Sequence, residues 1–143
     1  MKSQPLSSIT LNLEALFRVI KRLADEVSTE KGLTLHQVVT LHRLREYEPC
    51  TMSDLKRGLD VTTGAITGLI DRLEKLGLVE RRPSLDDRRV IYLDLTSAGQ
   101  DTVNAIWEAW ERRLEGWLSR VPDAQRSQLE PVIRALVEAG EAV

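Results

Sequence analysis

The stretch that decides the fold runs from Thr51 to Gly99: TMSDLKRGLDVTTGAITGLIDRLEKLGLVERRPSLDDRRVIYLDLTSAG. Its pattern predicts a short capped helix, a tight turn, a second amphipathic helix and a two-stranded hairpin with a basic tip. Thr51 and Asp54 have the spacing of a capping box, and the helix they open carries Leu55 and Leu59. This order of elements is typical of a winged helix-turn-helix.

The second helix is predicted over Thr62–Leu76. Its apolar residues recur at helical spacing on one face, and they are Ile66, Leu69, Ile70, Leu73 and Leu76. The opposite face is expected to stay free, and it carries Thr63, Thr67, Asp71 and Lys75. Gly77 is expected to end the helix, because glycine adopts the left-handed conformation found after many helix C-termini without steric cost.

The hairpin that follows, from Leu78 to Leu95, is called the wing below. Its second strand is predicted over Val90–Leu95, where Ile91, Leu93 and Leu95 alternate with Val90, Tyr92 and Asp94. Four arginines, Arg81, Arg82, Arg88 and Arg89, surround a turn made of residues 83–87. Because guanidinium groups bind anions, this tip predicts an anionic partner.

The run from Gly77 to Gly99 resembles the wing of MarR-type (multiple antibiotic resistance repressor) transcription factors. The shared features are a Gly-Leu-Val opening, an Asp-Arg-Arg tip at Asp87, Arg88 and Arg89, and the pattern Leu-Thr-x-x-Gly at Leu95, Thr96 and Gly99. The resemblance implies a mainly α fold with a small β-hairpin wing, in which the winged helix-turn-helix is flanked by N- and C-terminal dimerisation helices. It also implies double-stranded DNA as the partner.

The candidate DNA-binding residues lie on the second helix and at the wing tip; they are Thr62, Thr63, Thr67, Arg72, Asp87, Arg88 and Arg89. The threonines can hydrogen-bond to phosphates or bases, and Arg72 could reach phosphate or buttress the wing. An arginine at a hairpin tip can enter a narrow minor groove. By resemblance, Arg89 is the groove residue and Asp87 orients it. The alternative is a solvated turn whose arginines only pair with the neighbouring aspartates.

Composition and charge limit the remaining classes. The 143 residues fit one domain, 1–143, and the net charge of −2 gives no global attraction to nucleic acid. Between Thr51 and Leu95 there are eight Lys or Arg residues and eight Asp or Glu residues, so binding must depend on local placement. No apolar run predicts a membrane span, and the N-terminus does not read as a secretory signal, so a cytoplasmic location is expected.

Heptad-like seams lie at both ends of the chain. The first comprises Ile9, Leu13, Leu16, Ile20, Leu23 and Val27, and the second comprises Val103, Trp107, Trp110, Leu114, Trp117 and Val121. We therefore predict that segments 1–31 and 96–143 are dimerisation helices of a two-fold homodimer, with the winged helix-turn-helix in 34–95. In the last helix, Pro131 predicts a kink or a restart.

The other candidates have plainer interpretations. The family resemblance implies a small aromatic effector as a partner, but tryptophans at helical spacing are more often core or interface, so no pocket is assigned. Cys50 is expected to be a buried thiol rather than a peroxide sensor. His36 and His42 are too sparse for a zinc site, and no enzyme motif or cofactor is indicated.

These patterns predict a sequence-specific DNA-binding transcriptional regulator, namely an effector-responsive repressor that binds a pseudo-palindromic operator as a homodimer. The alternative is a winged-helix protein-interaction module that does not bind DNA, which the near-neutral charge permits.

Overall fold

The computed structural model describes residues 6–59 and 62–142. Within these residues the elements follow in the order α1 (Leu6–Glu30), α2 (Leu35–Glu46), β1 (Cys50–Thr51), α3 (Met52–Leu59), α4 (Thr63–Lys75), β2 (Val79–Pro83), β3 (Ile91–Leu95), α5 (Ser97–Leu118) and α6 (Asp123–Glu141). The predicted mainly α architecture with a small wing is confirmed. The chain divides into two compact units, Met1–Ala109 and Trp110–Val143.

Helix α4 has the predicted extent once its caps are counted. Thr62 is the N-cap, and its Oγ1 accepts a hydrogen bond of 3.3 Å from the backbone N–H of Ala65. Leu76 is the C-cap, and Gly77 follows with φ +71°, the left-handed conformation that favours glycine. The predicted turn between α3 and α4 contains residues 60 and 61, which lie outside the described residues.

The apolar face of α4 is buried except at its last predicted position. Ile66, Leu69, Ile70 and Leu73 are all buried, whereas Leu76 is 54% exposed. The prediction for Leu76 was wrong because the helix ends there, and the chain turns at Gly77 before it re-enters the core. Leu78 and Val79 are the residues that become buried after the turn.

The sheet has three strands rather than the predicted two. Its order is β1-β3-β2, both pairings are antiparallel, and Cys50 pairs with Leu93 while Thr51 pairs with Tyr92. A strand of two residues has no alternation that a sequence pattern could reveal. Strand β3 begins at Ile91 instead of Val90, because the N–H of Val90 bonds to the carbonyl of Asp87 in the turn (2.9 Å).

The core of the first unit lies between its helices and the sheet. Its buried members include Leu41, Leu44, Leu55, Ile70, Leu73, Leu93, Val103 and Ile106. Helix α2 starts with the predicted capping box, in which Thr34 and Gln37 bond reciprocally. Thr40 is fully buried on the same helix, and its hydroxyl donates to the carbonyl of His36 (2.8 Å). Because the hydroxyl makes this hydrogen bond within the helix, a polar side chain is tolerated in the core.

The apolar seam of α1 is buried at one end and exposed along most of the rest. Val27 is buried at its C-terminal end, whereas Ile9, Leu13, Leu16 and Ile20 are 38–45% exposed. The predicted dimerisation segment 1–31 also includes residues 1–5, which lie outside the described residues. No described helix combines the length and apolar character needed to cross a membrane.

In the second unit, α6 runs unbroken from Asp123 to Glu141 with Pro131 inside it. The predicted restart is therefore absent, while a kink at Pro131 stays a prediction. One side of α6 exposes Val132, Ile133, Leu136 and Val137, each between 51% and 55%. The two-fold homodimer remains a prediction, and these apolar side chains are available to it.

Candidate nucleic-acid interface

The polar face of α4 is exposed in this structure, although Asp71, which was predicted to stay free, pairs with Arg81 (2.7 Å). Thr63, Thr67 and Asp71 are exposed, as are Thr62 at the N-cap and Arg72. The hydroxyl of Thr67 donates to the carbonyl of Thr63 (2.9 Å). With its proton used inside the helix, Thr67 offers mainly acceptor lone pairs outward. The hydroxyls of Thr62 and Thr63 can still donate, since that of Thr62 is only an acceptor for the N–H of Ala65.

The wing tip, residues 84–90, is closed by a compact set of backbone contacts. The N–H of Ser84 donates to the carbonyl of Val90 (2.9 Å). Ser84 Oγ in turn accepts from the N–H groups of Asp86 (3.2 Å) and Asp87 (3.3 Å). Sequence reasoning missed Ser84, although a serine three residues before an aspartate in a turn is typical of such side chain to backbone closure.

Asp87 holds Arg89 through three contacts. Its Oδ1 accepts from the backbone N–H of Arg89 (2.9 Å) and from Nε (3.2 Å), and its Oδ2 accepts from Nη2 (3.2 Å). These bonds from Arg89 hold the pKa of the Asp87 carboxyl below its ordinary value. The side chain of Arg89 is nevertheless 91% exposed. The contact implied by the resemblance is present, while the role of both residues in DNA binding stays a prediction.

The other wing arginines differ in what they pair with. Arg82 donates to Asp94 (2.7 Å) and lies over the ring of Tyr92 (4.9 Å to the centroid). The hydrogen bond that it donates to Asp94 raises the pKa of Arg82. Arg88 is exposed and forms no ion pair with any residue in 6–59 or 62–142. At the tip, Arg88 is thus the guanidinium whose charge is not offset by a neighbour.

Arg81 connects the wing to α4. Its Nη2 donates to Asp71 Oδ1 (2.7 Å), its Nη1 bonds to Glu74 Oε2, and its backbone N–H donates to Glu74 Oε1 (3.3 Å). Arg72, which was expected to reach phosphate or buttress the wing, has no such contact to the wing within the described residues. Buttressing is performed by Arg81, which sequence reasoning placed only among the arginines around the turn.

The pattern Leu-Thr-x-x-Gly ties the base of the wing to α5. Thr96 Oγ1 donates to the carbonyl of Gly77 (2.6 Å) and accepts from the N–H of Gly99 (3.0 Å), while the N–H of Thr96 donates to the carbonyl of Leu78 (3.1 Å). A Cβ on Gly99 would lie 2.0 Å from the Leu78 carbonyl oxygen. Only glycine therefore allows this close approach.

The remaining candidates are the cysteine, the histidines and the tryptophans. Cys50 is 3% exposed, and its pKa is raised by burial and then by the charge of Asp54, so the expected buried thiol is confirmed. His42 stacks on Trp107 with ring centroids 5.3 Å apart, and Trp107 is 41% exposed. In the part of the chain that the structure describes, no group of three or more His, Cys, Asp or Glu residues is arranged to hold a metal ion.

Comparison with known proteins identifies relatives along the whole chain. A sequence profile of the MarR family matches residues 33–91. The chain is 30% identical over 143 residues to the HTH-type transcriptional repressor MdtR of Bacillus subtilis (strain 168), which covers 99% of this chain and 92% of the relative.

Two solved structures have the same fold. The YusO protein from Bacillus subtilis is 28% identical with a TM-score of 0.79, covering 97% of this chain and 99% of the other. RV1404 from Mycobacterium tuberculosis is 25% identical with a TM-score of 0.87, covering 98% of this chain and 97% of the other.

Proposed function

The chain belongs to the MarR family of transcriptional regulators, whose members are not enzymes, and from this premise we propose that it is a sequence-specific repressor that binds DNA as a homodimer. The observation that carries the proposal is the coupling of two exposed surfaces that would both face DNA. An exposed polar face on α4 and an arginine-bearing wing tip belong to consecutive elements joined by the ion pairs of Arg81.

Each surface suits a different groove. Helix α4 would enter the major groove with Thr62, Thr63 and Thr67 toward phosphates and base edges. The wing tip would place Arg89 in the flanking minor groove, where narrow A·T-rich sequence attracts a guanidinium. Arg88 would contribute its charge to nearby phosphate, and Arg72 would do the same from α4.

Two copies would bind one operator. In a two-fold dimer the two α4 helices would meet half-sites about 34 Å apart, one turn of B-DNA, so the operator would be a pseudo-palindrome. The exposed apolar side chains of α1 and α6 support dimerisation through segments 1–31 and 96–143. Repression would follow from occupation of promoter DNA; the relative MdtR is named as a transcriptional repressor.

Release by a small aromatic effector is part of the same proposal. An effector can shift the dimer away from DNA only by binding the non-binding form more tightly. A cytoplasmic location is also part of it, since a regulator must share a compartment with its DNA.

Selection of bound DNA from a random pool tests the proposal first. We expect a pseudo-palindrome with half-sites one helical turn apart. Enrichment of no sequence, with equal affinity for heparin, would contradict DNA reading and favour the protein-interaction module.

Titration of salt on the selected operator tests the role of the wing. Arg89→Ala should weaken binding by about tenfold and lower the slope of log affinity against log salt by about one per subunit. Arg120→Ala is the matched control, because Arg120 is also exposed but lies in the turn before α6. Equal affinities for the Arg89→Ala variant and the parent would exclude the wing mechanism.

A further inference from the structure

Arg81 occupies an unusual position among the wing arginines because its ion pairs leave the wing. In the register of the hairpin, Arg81 stands opposite Leu93, a buried residue, so the two side chains share the inner face of the sheet. Its side chain is only 24% exposed. Arg82, the next residue, stands opposite Tyr92 on the other face and is 57% exposed.

The acceptors of Arg81 lie on α4, at positions three residues apart. Asp71 belongs to the exposed polar face, and Glu74 is half-buried nearer the C-terminus of the helix. Glu74 receives both the guanidinium and the backbone N–H of Arg81, so it fixes the strand as well as the side chain. Because the two oxygens of Glu74 accept from two different groups of Arg81, the contact restricts orientation in addition to distance.

The connection between α4 and β2 is short and is closed by backbone hydrogen bonds, from the N–H of Gly77 to the carbonyl of Glu74 (2.8 Å) and from the N–H of Leu78 to the carbonyl of Leu73 (3.0 Å). It consists of Leu76, Gly77 and Leu78, and Gly77 has the positive φ noted above. These bonds and those of Thr96 fix the base of the wing. Arg81 lies further along β2, and its contacts with Asp71 and Glu74 hold the strand itself against α4.

We propose that Arg81 is a positioning residue that sets the wing against α4, so that the two elements engage adjacent grooves of DNA simultaneously. The inference rests on the proposed function. It assigns Arg81 a role that acts through Arg89, without any contact of Arg81 to DNA.

A double-mutant cycle on operator affinity tests this role. In the parent chain, Arg89→Ala should lower the operator affinity about tenfold, and this factor is called the Arg89 penalty. In the Arg81→Met background the same change should cost less than about threefold, because a wing that has lost its register no longer delivers Arg89 to the groove. Arg81→Lys should recover part of the Arg89 penalty, since lysine can pair with one of the two carboxylates.

Arg82→Met is the matched control. It removes the same charge from the adjacent position, but its ion pair with Asp94 joins the two wing strands and does not reach α4. We expect the Arg89 penalty to remain about tenfold in that background. Unfolding midpoints measured in parallel should show that the single variants are folded at the assay temperature.

Glu74→Gln distinguishes positioning from simple charge and serves if Arg81→Met does not fold. The substitution removes a negative charge, so a purely electrostatic effect would tighten DNA binding. Positioning instead predicts weaker binding and a reduced Arg89 penalty, because the acceptor of Arg81 loses its charge while the shape is kept.

The outcomes separate the two claims. An undiminished Arg89 penalty in the Arg81→Met and Glu74→Gln backgrounds would overturn the positioning role and leave the proposed function intact. A penalty reduced equally by Arg82→Met would also overturn it. If Arg89→Ala costs nothing in the parent chain, the proposed wing mechanism fails, and the positioning role fails with it.

Discussion

At the scale of single residues, the pairing of Asp87 with Arg89 leaves the side chain proposed to enter the minor groove both held and exposed. The carboxylate accepts from both the backbone and the guanidinium of Arg89. Fixing the side chain before binding lowers the rotamer entropy that would be lost when it enters a groove. Because the tip is exposed to solvent, this ion pair should orient the Arg89 side chain but add little to the free energy of unfolding.

The pH dependence of this pair is the first residue-scale prediction. The pKa of Asp87 is lowered by Arg89, so its contribution is present above the ordinary aspartate value and is lost only as pH falls through the lowered pKa. Asp87→Asn should therefore weaken operator binding by the same factor at every pH between about 5 and 8. Anisotropy titrations of parent and variant across that range measure the factor, and a factor that changed with pH would contradict the assignment.

Cys50 provides the second residue-scale prediction. Burial raises the pKa of its thiol, so little reactive thiolate exists near neutral pH. DNA release by peroxide, if it is observed at all, should be identical in the parent chain and in Cys50→Ser. The measurement is operator occupancy before and after oxidant, and a peroxide response that disappears in Cys50→Ser would refute the structural assignment.

Residue pairs differed in how far the sequence revealed them. Asp87 and Arg89 are two positions apart in one turn, so their contact could be anticipated. Arg81 contacts Asp71 and Glu74 across separations of ten and seven residues, through a helix end, a glycine turn and a strand. Such a contact depends on the register of the hairpin against the helix, which no local pattern specifies.

At the scale of elements, strong periodicity and caps predicted α4 and the wing, whereas weak local signals failed. Strand β1 is only two residues long and exists because Cys50 and Thr51 pair with β3. The burial of Leu76 was overestimated because the helical pattern continues to the C-cap, where the backbone no longer follows it. In both cases tertiary context decided what the pattern could not.

Gly99 gives the prediction at this scale. Helix propensity alone says that Gly99→Ala in α5 should stabilise the protein by up to about 1 kcal/mol. The close approach of the Leu78 carbonyl reverses the sign, because the new Cβ would lie 2.0 Å from that oxygen. We expect a net loss of about 1–3 kcal/mol in the free energy of unfolding, measured by denaturant titration.

The matched control for Gly99 lies in the same helix. Gly116 has no neighbouring atom within 4 Å of an added Cβ, so Gly116→Ala should be neutral or stabilising by up to about 1 kcal/mol. If the two substitutions change the free energy of unfolding in opposite directions, the loss in Gly99→Ala is due to the close contact and not to helix propensity. A Gly99→Ala variant as stable as the parent would show that the base of the wing adapts.

At the scale of the whole molecule, α1 exposes a row of apolar side chains that a single chain leaves facing solvent. Leu16 is 39% exposed and lies in line with Ile9, Leu13 and Ile20. The proposed dimer would bury this row, and operator binding through two half-sites would depend on it. Because Leu16 is half-exposed in one chain, an aspartate there should leave the individual subunit folded.

Leu16→Asp should therefore produce a folded monomer, because a buried carboxylate without a partner is costly at an apolar interface. Loss of the second half-site should reduce operator affinity by about 100-fold or more, while Leu114→Asp is expected to act in the same way. Analytical ultracentrifugation and anisotropy on the selected operator measure the two effects.

Leu11→Asp is the control for Leu16→Asp, since Leu11 is 64% exposed on the same helix but about 140° around its axis. It should stay dimeric and bind DNA as the parent does. If Leu16→Asp remained dimeric, or bound the operator with full affinity as a monomer, the row on α1 would not be the element that joins the two DNA-reading units. Loss of dimerisation in both variants would point to a general sensitivity of α1 rather than to one face.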